Sequence, residues 1–398
     1  MIHTQYYPPE IGAPQARLSE LAQGLSQKGF RVTVLTAMPN YPKGKIFSGY
    51  GGLVKVEYNH SIRIIRSFIV PTQKANLIPR LCNYFSFVFS SLIVGLFMVR
   101  KVDFILTESP PLFLGFSGYL LSRFKKAKWI FNVSDLWPES AVRLGIVKNG
   151  FFLWLSRKLE AFCYQKACFV TVQSKSILAD ISKRFPKVQT YHLSNGVDKG
   201  KFSKQYYSKS IRKKMGADDE TIFLYGGLHG LAQGIEQIIF AAQKIDVKAR
   251  FIFVGDGPEK ENLTRLAKKL ALRNVSFWNS VPKDEMPSLI ASADVCVIPL
   301  KIYLPGAVPS KIYEAMASSK PILLIAEGEA VSIIKKNKAG IVVSPGDIER
   351  IIDSIEILAT NKALCEELGS NGKKVVEELY DRQKIVNDFY CFLKRNYV

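Results

Sequence analysis

Short apolar runs alternate with helical stretches from one end of the chain to the other, and this alternation restricts the possible folds more than any other feature. "RVTVLTA" (31–37), "DFILTES" (103–109), "KWIFNVSD" (128–135), "CFVTVQS" (168–174) and "VQTYHLSNGV" (188–197) form a first series. "TIFLYGG" (221–227), "ARFIFVGDG" (249–257), "VSFWNS" (275–280), "DVCVIPL" (294–300), "PILLIAE" (321–327) and "AGIVVSP" (339–345) form a second. Such runs, alternating with helices, suit strands of a parallel sheet covered on both faces. A chain of 398 residues is more than one core usually serves. "SNGVDKGKF" carries the Asn-Gly turn signal and marks a boundary. The expected fold class is therefore α/β: two doubly wound Rossmann-like domains, 1–195 and 196–379. The C-terminal stretch is helical, with a break expected near Ser370–Gly372.

The start is unusual. "MIHTQ" is short for a buried first strand, although loop, helix and second strand follow it in order. Either the first strand is a stub, or the true start lies upstream. No secretory leader is legible in "MIHTQYYPPE". Six scattered cysteines without a C-x-x-C pair, and four dispersed histidines, suggest reduced thiols and no metal cluster.

The formal charge of +21 is uneven. Residues 1–195 hold 25 Lys and Arg against 9 Asp and Glu, so most of the excess lies there. Such a field favours an anionic partner: nucleic acid, acidic headgroups or a phosphorylated substrate. No basic-aromatic motif gathers the charge, which ranks nucleic acid last. Within this half, "LCNYFSFVFSSLIVGLFMV" (81–99) has no charge and is flanked by Arg80 and by Arg100–Lys101. It reads as a buried crossover helix, as an in-plane membrane helix, or as a span; three serines, Asn83 and Gly95 weigh against the span. "NGFFLWLSRKLEAFCYQK" (149–166) repeats the aromatic-basic pattern as a second helix.

Chemistry concentrates at "PGAVPSKIYEAMASSKPILLI" (305–325). Pro309 and Ser310 precede a helical pattern, and Ser310 suits its N-cap. A helix N-terminus favours anions, and Lys311 in its first turn adds a point charge. Glu314 lies one turn on, where it can accept from a ribose diol. The pair reads either as a nucleotide clamp or as a solvated ion pair. Gly227 in "LYGGLHGLAQGIEQ" and Gly255 in "FVGDGPEKENL" lie past strand ends, where backbone can approach a ligand closely. Neither stretch is G-x-G-x-x-G, and no G-x-x-x-x-G-K-[ST] occurs. Gly12, in "PPEIGAPQARLSELA", offers a further phosphate approach. Asp135 and Glu139, in "FNVSDLWPESAVRLG", are candidates for substrate hydroxyls or base work, or for helix capping, as is Ser134.

In combination, "YYPPEIGAPQARLSELAQGLSQKGFRVTVLTAMPNYPKGKI", "DLWPES", "SNGVD", "YGGLHGLAQGIEQ", "VGDGPEKENL", "PSLIASADVCVIPL" and "PSKIYEAMASSKPIL" resemble a glycosyltransferase of family 4 with the GT-B fold. The resemblance covers nearly the whole chain. Within the family it is nearest to bacterial N-acetyl-L-fucosamine transferases of O-antigen and capsule synthesis. It implies two domains facing a cleft and a retaining, metal-independent transfer from a UDP-sugar held by the C-terminal domain. The implied acceptor is a polyprenyl-diphosphate sugar held by the N-terminal domain. The implied setting is cytoplasmic, peripheral on the anionic inner face of the bacterial inner membrane. Residues 380–398 are expected to pack back on the first domain. The family's Glu-x7-Glu is half kept: Glu314 matches the second glutamate, and Gly306 stands at the first. Gly227 and Gln233 stand where the family has Arg and Lys, leaving Lys311, with Lys301 as a second, to supply the charge. A UDP-sugar 2-epimerase of the same architecture, or a non-catalytic membrane-bound subunit, are the competing readings.

Overall fold

A computed structural model describes residues 1–41, 44–72, 77–143, 145, 150–216 and 219–397. Asn149, at the start of the second aromatic helix expected from the sequence, and Pro42–Lys43 of the first family landmark lie outside the described residues. The chain divides into two compact units, Met1–Asn195 with Ile385–Val398, and Gly196–Lys384.

The first unit holds β1 (Ile2–His3), β2 (Thr33–Ala37), β3 (Val54–Asn59), β4 (Ile62–Ser67), β5 (Phe104–Ser109), β6 (Lys128–Val133), β7 (Phe169–Val172) and β8 (Thr190–His192). They form one sheet in the order β3-β4-β2-β1-β5-β6-β7-β8, parallel except for β3. At the start, β1 contributes two residues, which pair with Val34–Leu35 on one side and Leu106–Thr107 on the other. The β3–β4 hairpin was not expected. "VKVEYN" is solvated at the edge, so it shows alternation rather than an apolar run.

One face of this sheet is covered by the helix Ala13–Gln27 and by the last helix, Arg382–Tyr397. Val386, Phe389 and Leu393 share a core with Leu18, Leu21 and Ile64. A Cβ on Gly24 would lie 2.6 Å from Val386 Cγ1, so glycine there lets the two helices meet. The other face carries the helices Leu77–Met98, Leu114–Lys125 and Gly150–Lys166.

The second unit holds β9 (Thr221–Gly226), β10 (Ala249–Val254), β11 (Val275–Trp278), β12 (Val295–Pro299), β13 (Ile322–Ile325) and β14 (Gly340–Val343). Every expected apolar run is a strand. They form an all-parallel sheet, order β11-β10-β9-β12-β13-β14, with apolar cores on both faces. Strand order reverses between β9 and β12, and a doubly wound sheet opens its ligand crevice beyond the C-terminal ends of such a pair.

The helix break expected at Ser370–Gly372 is not there. The helix Lys362–Val375 runs straight through it and gives way to a π-turn at Val376–Tyr380. The glycines serve packing instead: a Cβ on Gly369 would lie 2.2 Å from Ser319 O, and one on Gly372 3.0 Å from Met316 Cγ.

Candidate active site

The crevice between β9 and β12 receives Lys311. The helix Ser310–Ala317 follows the loop after β12, and Pro309 is its N-cap, with φ −61° and ψ 130°. Ser310 is thus the first helical residue and not the cap, because the proline already supplies the extended residue that leads in. No side chain caps the first N–H groups, so this end keeps its capacity for an anion.

The Lys311 side chain runs to the end of β9. A Cβ on Gly227 would lie 2.3 Å from Lys311 Cε and 2.6 Å from Nζ. The absence of a side chain at 227 is therefore what admits the amine. Nζ lies 5.7 Å from the centre of the Tyr225 ring, and it has no hydrogen-bond or ion-pair partner among the described residues. Burial pushes its pKa down, opposed by the Glu314 carboxylate. Glu314 and Lys311 line the same small cavity, with Gly226, Met286 and Cys296.

The glycines past β10 do something other than expected. A Cβ on Gly255 would lie 1.9 Å from Gly227 O, and one on Gly257 2.3 Å from His229 O. Both glycines let the two strand-end loops close on each other, which fixes the floor under Lys311. His229, missed in the sequence, is fully buried between these loops beside Tyr225 and Phe277, and burial lowers its pKa to about 4. Lys301, expected as a second phosphate cation, is paired instead: its Nζ donates to Glu236 Oε1 at 2.9 Å. Its backbone N–H donates to Ala232 O, which holds the residue against the glycine-rich loop.

In the first unit strand order reverses between β1 and β5, and the strand ends there carry a second polar group. Arg17, on the inner face of the helix Ala13–Gln27, contacts Glu108 Oε1 at 2.6 Å; both are buried. Arg17 also donates to Ser134 Oγ at 2.9 Å, and Asn132 and Ser134 both donate to Glu108. Asp135 is next in the chain. Its carboxylate accepts no hydrogen bond among the described residues, so it caps no helix, and Ser134 is occupied by Arg17 and Glu108. Burial and the nearby Glu108 raise the Asp135 pKa, against the pull of Arg17. The sequence singles out Asp135 as a candidate but not the residues around it. Arg17 among the apolar positions of a helix, and Glu108 closing an apolar strand, were the available signals.

Glu139 and Gly12 are placed differently. Glu139 begins a short helix and lies 3.7 Å from Arg157 in a solvated pair. Gly12 is the N-cap of the helix Ala13–Gln27, and a Cβ there would lie 2.3 Å from Gln15 Oε1.

Two parallel Rossmann-like units, the second with an uncapped helix end and a lysine at its switch point, define the GT-B class of glycosyltransferases. Comparison with known proteins agrees. Residues 12–196 match the family described as glycosyl transferase 4-like domain, and residues 208–375 match glycosyl transferases group 1. The chain belongs to the glycosyltransferases built from this pair of domains and is an enzyme of that class. It is 24% identical over 398 residues to the Escherichia coli K12 protein named "Putative colanic acid biosynthesis glycosyl transferase WcaI", covering 96% of each chain. Among solved structures it resembles sucrose-phosphate synthase from Thermosynechococcus elongatus, with a TM-score of 0.78 and 19% identity over 99% of this chain and 98% of that one. Anabaena HepE in complex with UDP and glucose has a TM-score of 0.74 and 16% identity over 99% of both chains. At these identities the structural likeness speaks for the fold.

Proposed function

We propose that this glycosyltransferase works in bacterial surface polysaccharide synthesis, as a retaining enzyme that moves a sugar from a UDP donor to a polyprenyl-diphosphate-linked acceptor. N-acetyl-L-fucosamine is the sugar we favour, on the resemblance of the landmark motifs. The colanic acid relative and the UDP complex of HepE support the pathway class and the donor nucleotide. The second unit holds the donor, the first the acceptor, and the setting is the inner face of the inner membrane.

One observation carries the reading: a partly buried Lys311 amine without a partner, at an uncapped helix N-terminus, in the crevice where α/β sheets bind ligands. It suits a donor diphosphate. Lys311 and the helix end stabilise the charge that grows on that diphosphate as the bond to the sugar breaks. The acceptor hydroxyl forms the new bond at the same face of the anomeric carbon, the sugar–diphosphate bond breaks, and the acceptor proton passes to the departing diphosphate. Configuration is retained with no protein nucleophile, and the charge is met without a metal ion. Glu314 binds the ribose diol, and Asp135 orients a sugar hydroxyl in the first unit.

Calorimetry of purified protein with UDP, GDP and NAD, in the presence of chelator, tests this. Binding of UDP alone is expected. Preference for GDP would replace the donor class, and no binding of any nucleotide would favour the non-catalytic subunit.

A further inference from the structure

The helix Leu77–Met98 is long and apolar enough to cross a bilayer, yet a core helix would be mostly buried, and here the share is 33%. Its two faces differ sharply. The inner face carries Phe87, Val88 and Val94, all buried, together with nearly every polar group of the segment. Asn83 accepts from Gln5 at 2.8 Å and donates to Val70 O at 2.7 Å. Ser91 pairs with His3 at 3.1 Å, and Ser90 bonds Ser67 and Phe68. Lys125 donates to the carbonyls of Leu96 and Val99, and Arg63 to that of Met98. The outer face shows Phe85, Phe89, Ile93 and Phe97 at successive four-residue steps, Phe97 being 85% exposed. This row is about 18 Å long at 1.5 Å per residue.

The neighbouring helices extend the same surface. Leu114–Lys125 adds exposed Phe116 and Phe124. Gly150–Lys166 adds Phe151, Trp154 and Leu155, with Lys158 Nζ 5.8 Å from the centre of the Trp154 ring. Phe113 bridges them, touching Phe85 at 4.9 Å and Phe152 at 6.0 Å between ring centres. The three helices contain one acidic residue, Glu160, which is buried and paired with Arg184. Exposed Arg100, Lys101, Arg123, Lys126 and Arg157 edge the surface.

We infer that this face docks in the plane of an anionic bilayer, with the row from Phe85 to Phe97 inserted among the acyl chains and the basic residues at the headgroups. A continuous exposed apolar row with a mainly basic margin, in which Glu139 beside Arg157 is an acidic neighbour, fits acidic lipid by both shape and charge. The bonds of the inner face exclude a span, since crossing the membrane would strip Asn83, Ser90 and Ser91 of partners and open the sheet. Through Gln5 the helix is tied directly to the loop that follows β1, so docking fixes that loop at the membrane surface. The inference extends the lipid-linked acceptor reading but is read out separately from it.

The experiment is flotation of the full chain with vesicles of phosphatidylcholine alone and of phosphatidylcholine with phosphatidylglycerol in about equal parts. Wild type is expected to float with the anionic vesicles, to be released by alkaline carbonate, and to bind poorly to the neutral ones. The double variant Phe89→Ser, Phe97→Ser is expected to bind at least about tenfold more weakly, since each phenylalanine forfeits its apolar burial. Its UDP affinity and thermal midpoint should match wild type, because both side chains point out of the fold. Trp154 emission should shift to the blue on binding. Three results overturn the inference: no flotation, equal flotation of the double variant, or resistance to carbonate, which would indicate a span. A self-associated chain that ignores vesicles would also overturn it and assign the face to a second copy. Loss of UDP binding in wild type would sink the donor reading and leave the vesicle result standing.

Discussion

Lys311→Ala separates the phosphate role from every structural role of the residue. The amine is partly buried, presses against Gly227 and has no hydrogen-bond or ion-pair partner among the described residues. A charge-assisted hydrogen bond to a diphosphate is worth about 1.5–3 kcal/mol, so UDP should bind roughly 10- to 150-fold more weakly. Uridine, which has no phosphate, should lose less than about twofold on the same reasoning. The free protein should not be destabilised, because what is removed is a charge whose desolvation outweighs its attraction to Glu314. The pH dependence has a definite sign. The folded-state pKa of Lys311 lies below its ordinary value of 10.5, so the unfolded chain binds more protons between the two. Stability of the free protein therefore rises with pH through that window, and the variant loses this part of the rise. UDP binding has the opposite trend, since the phosphate needs the protonated amine and affinity falls as pH climbs past the lowered pKa. Calorimetry with uridine and UDP across pH, beside thermal melts, reads all of this. Equal losses of uridine and UDP would refute the phosphate role, and a large drop in the melting midpoint would show that the amine was holding the fold.

Gly255→Ala should lower UDP affinity while leaving the chain folded, because its Cβ would force Gly227 O, 1.9 Å away, to move the floor under Lys311; unchanged affinity would mean that the loops yield without cost. Glu314→Ala should weaken uridine and UDP alike, as calorimetry will show, if its partner is the ribose. Asp135→Asn should cut turnover by at least about 100-fold and raise the melting midpoint by about 1–3 °C near neutral pH. The sign follows from its raised pKa: the ionised carboxylate costs stability above that pKa, so the gain should vanish in acid. Arg17→Ala should destabilise the first unit by ~3–5 kcal/mol in urea titration, since it leaves Glu108 buried and unpaired.

The second unit was legible almost strand by strand, because its central strands β9, β10, β12 and β13 are buried and show as apolar runs, and the half-buried edge strands β11 and β14 keep an apolar character too. The first unit was legible where the same holds. β3 was missed because an exposed edge strand has no such run, β4 because Arg63 and Arg66 interrupt its buried run, and β1 was ambiguous because two residues cannot display a pattern. Lys311, Glu314 and Asp135 stood out as candidates because ionisable residues at a helix start or just past a strand, inside an apolar series, are costly without a role. The partners that define their surroundings were not found. Whether Lys301 would meet a phosphate or Glu236, and whether Gly255 would face a ligand or Gly227, depends on contacts between loops distant in sequence. The glycines were read correctly as close approaches, but the object approached was a neighbouring loop.

The last helix has a consequence for how the chain is made. Val386, Phe389 and Leu393 complete the core that Leu18, Leu21 and Ile64 begin. A ribosome delivers the first unit's sheet early, but these three residues emerge only after the whole of the second unit. The second unit, contained within Gly196–Lys384, has all its parts before that moment. The half made first is therefore completed only after the other has emerged, and until then it presents an open apolar face. A premature stop before Val386 would leave that face open in the domain encoded at the opposite end of the message.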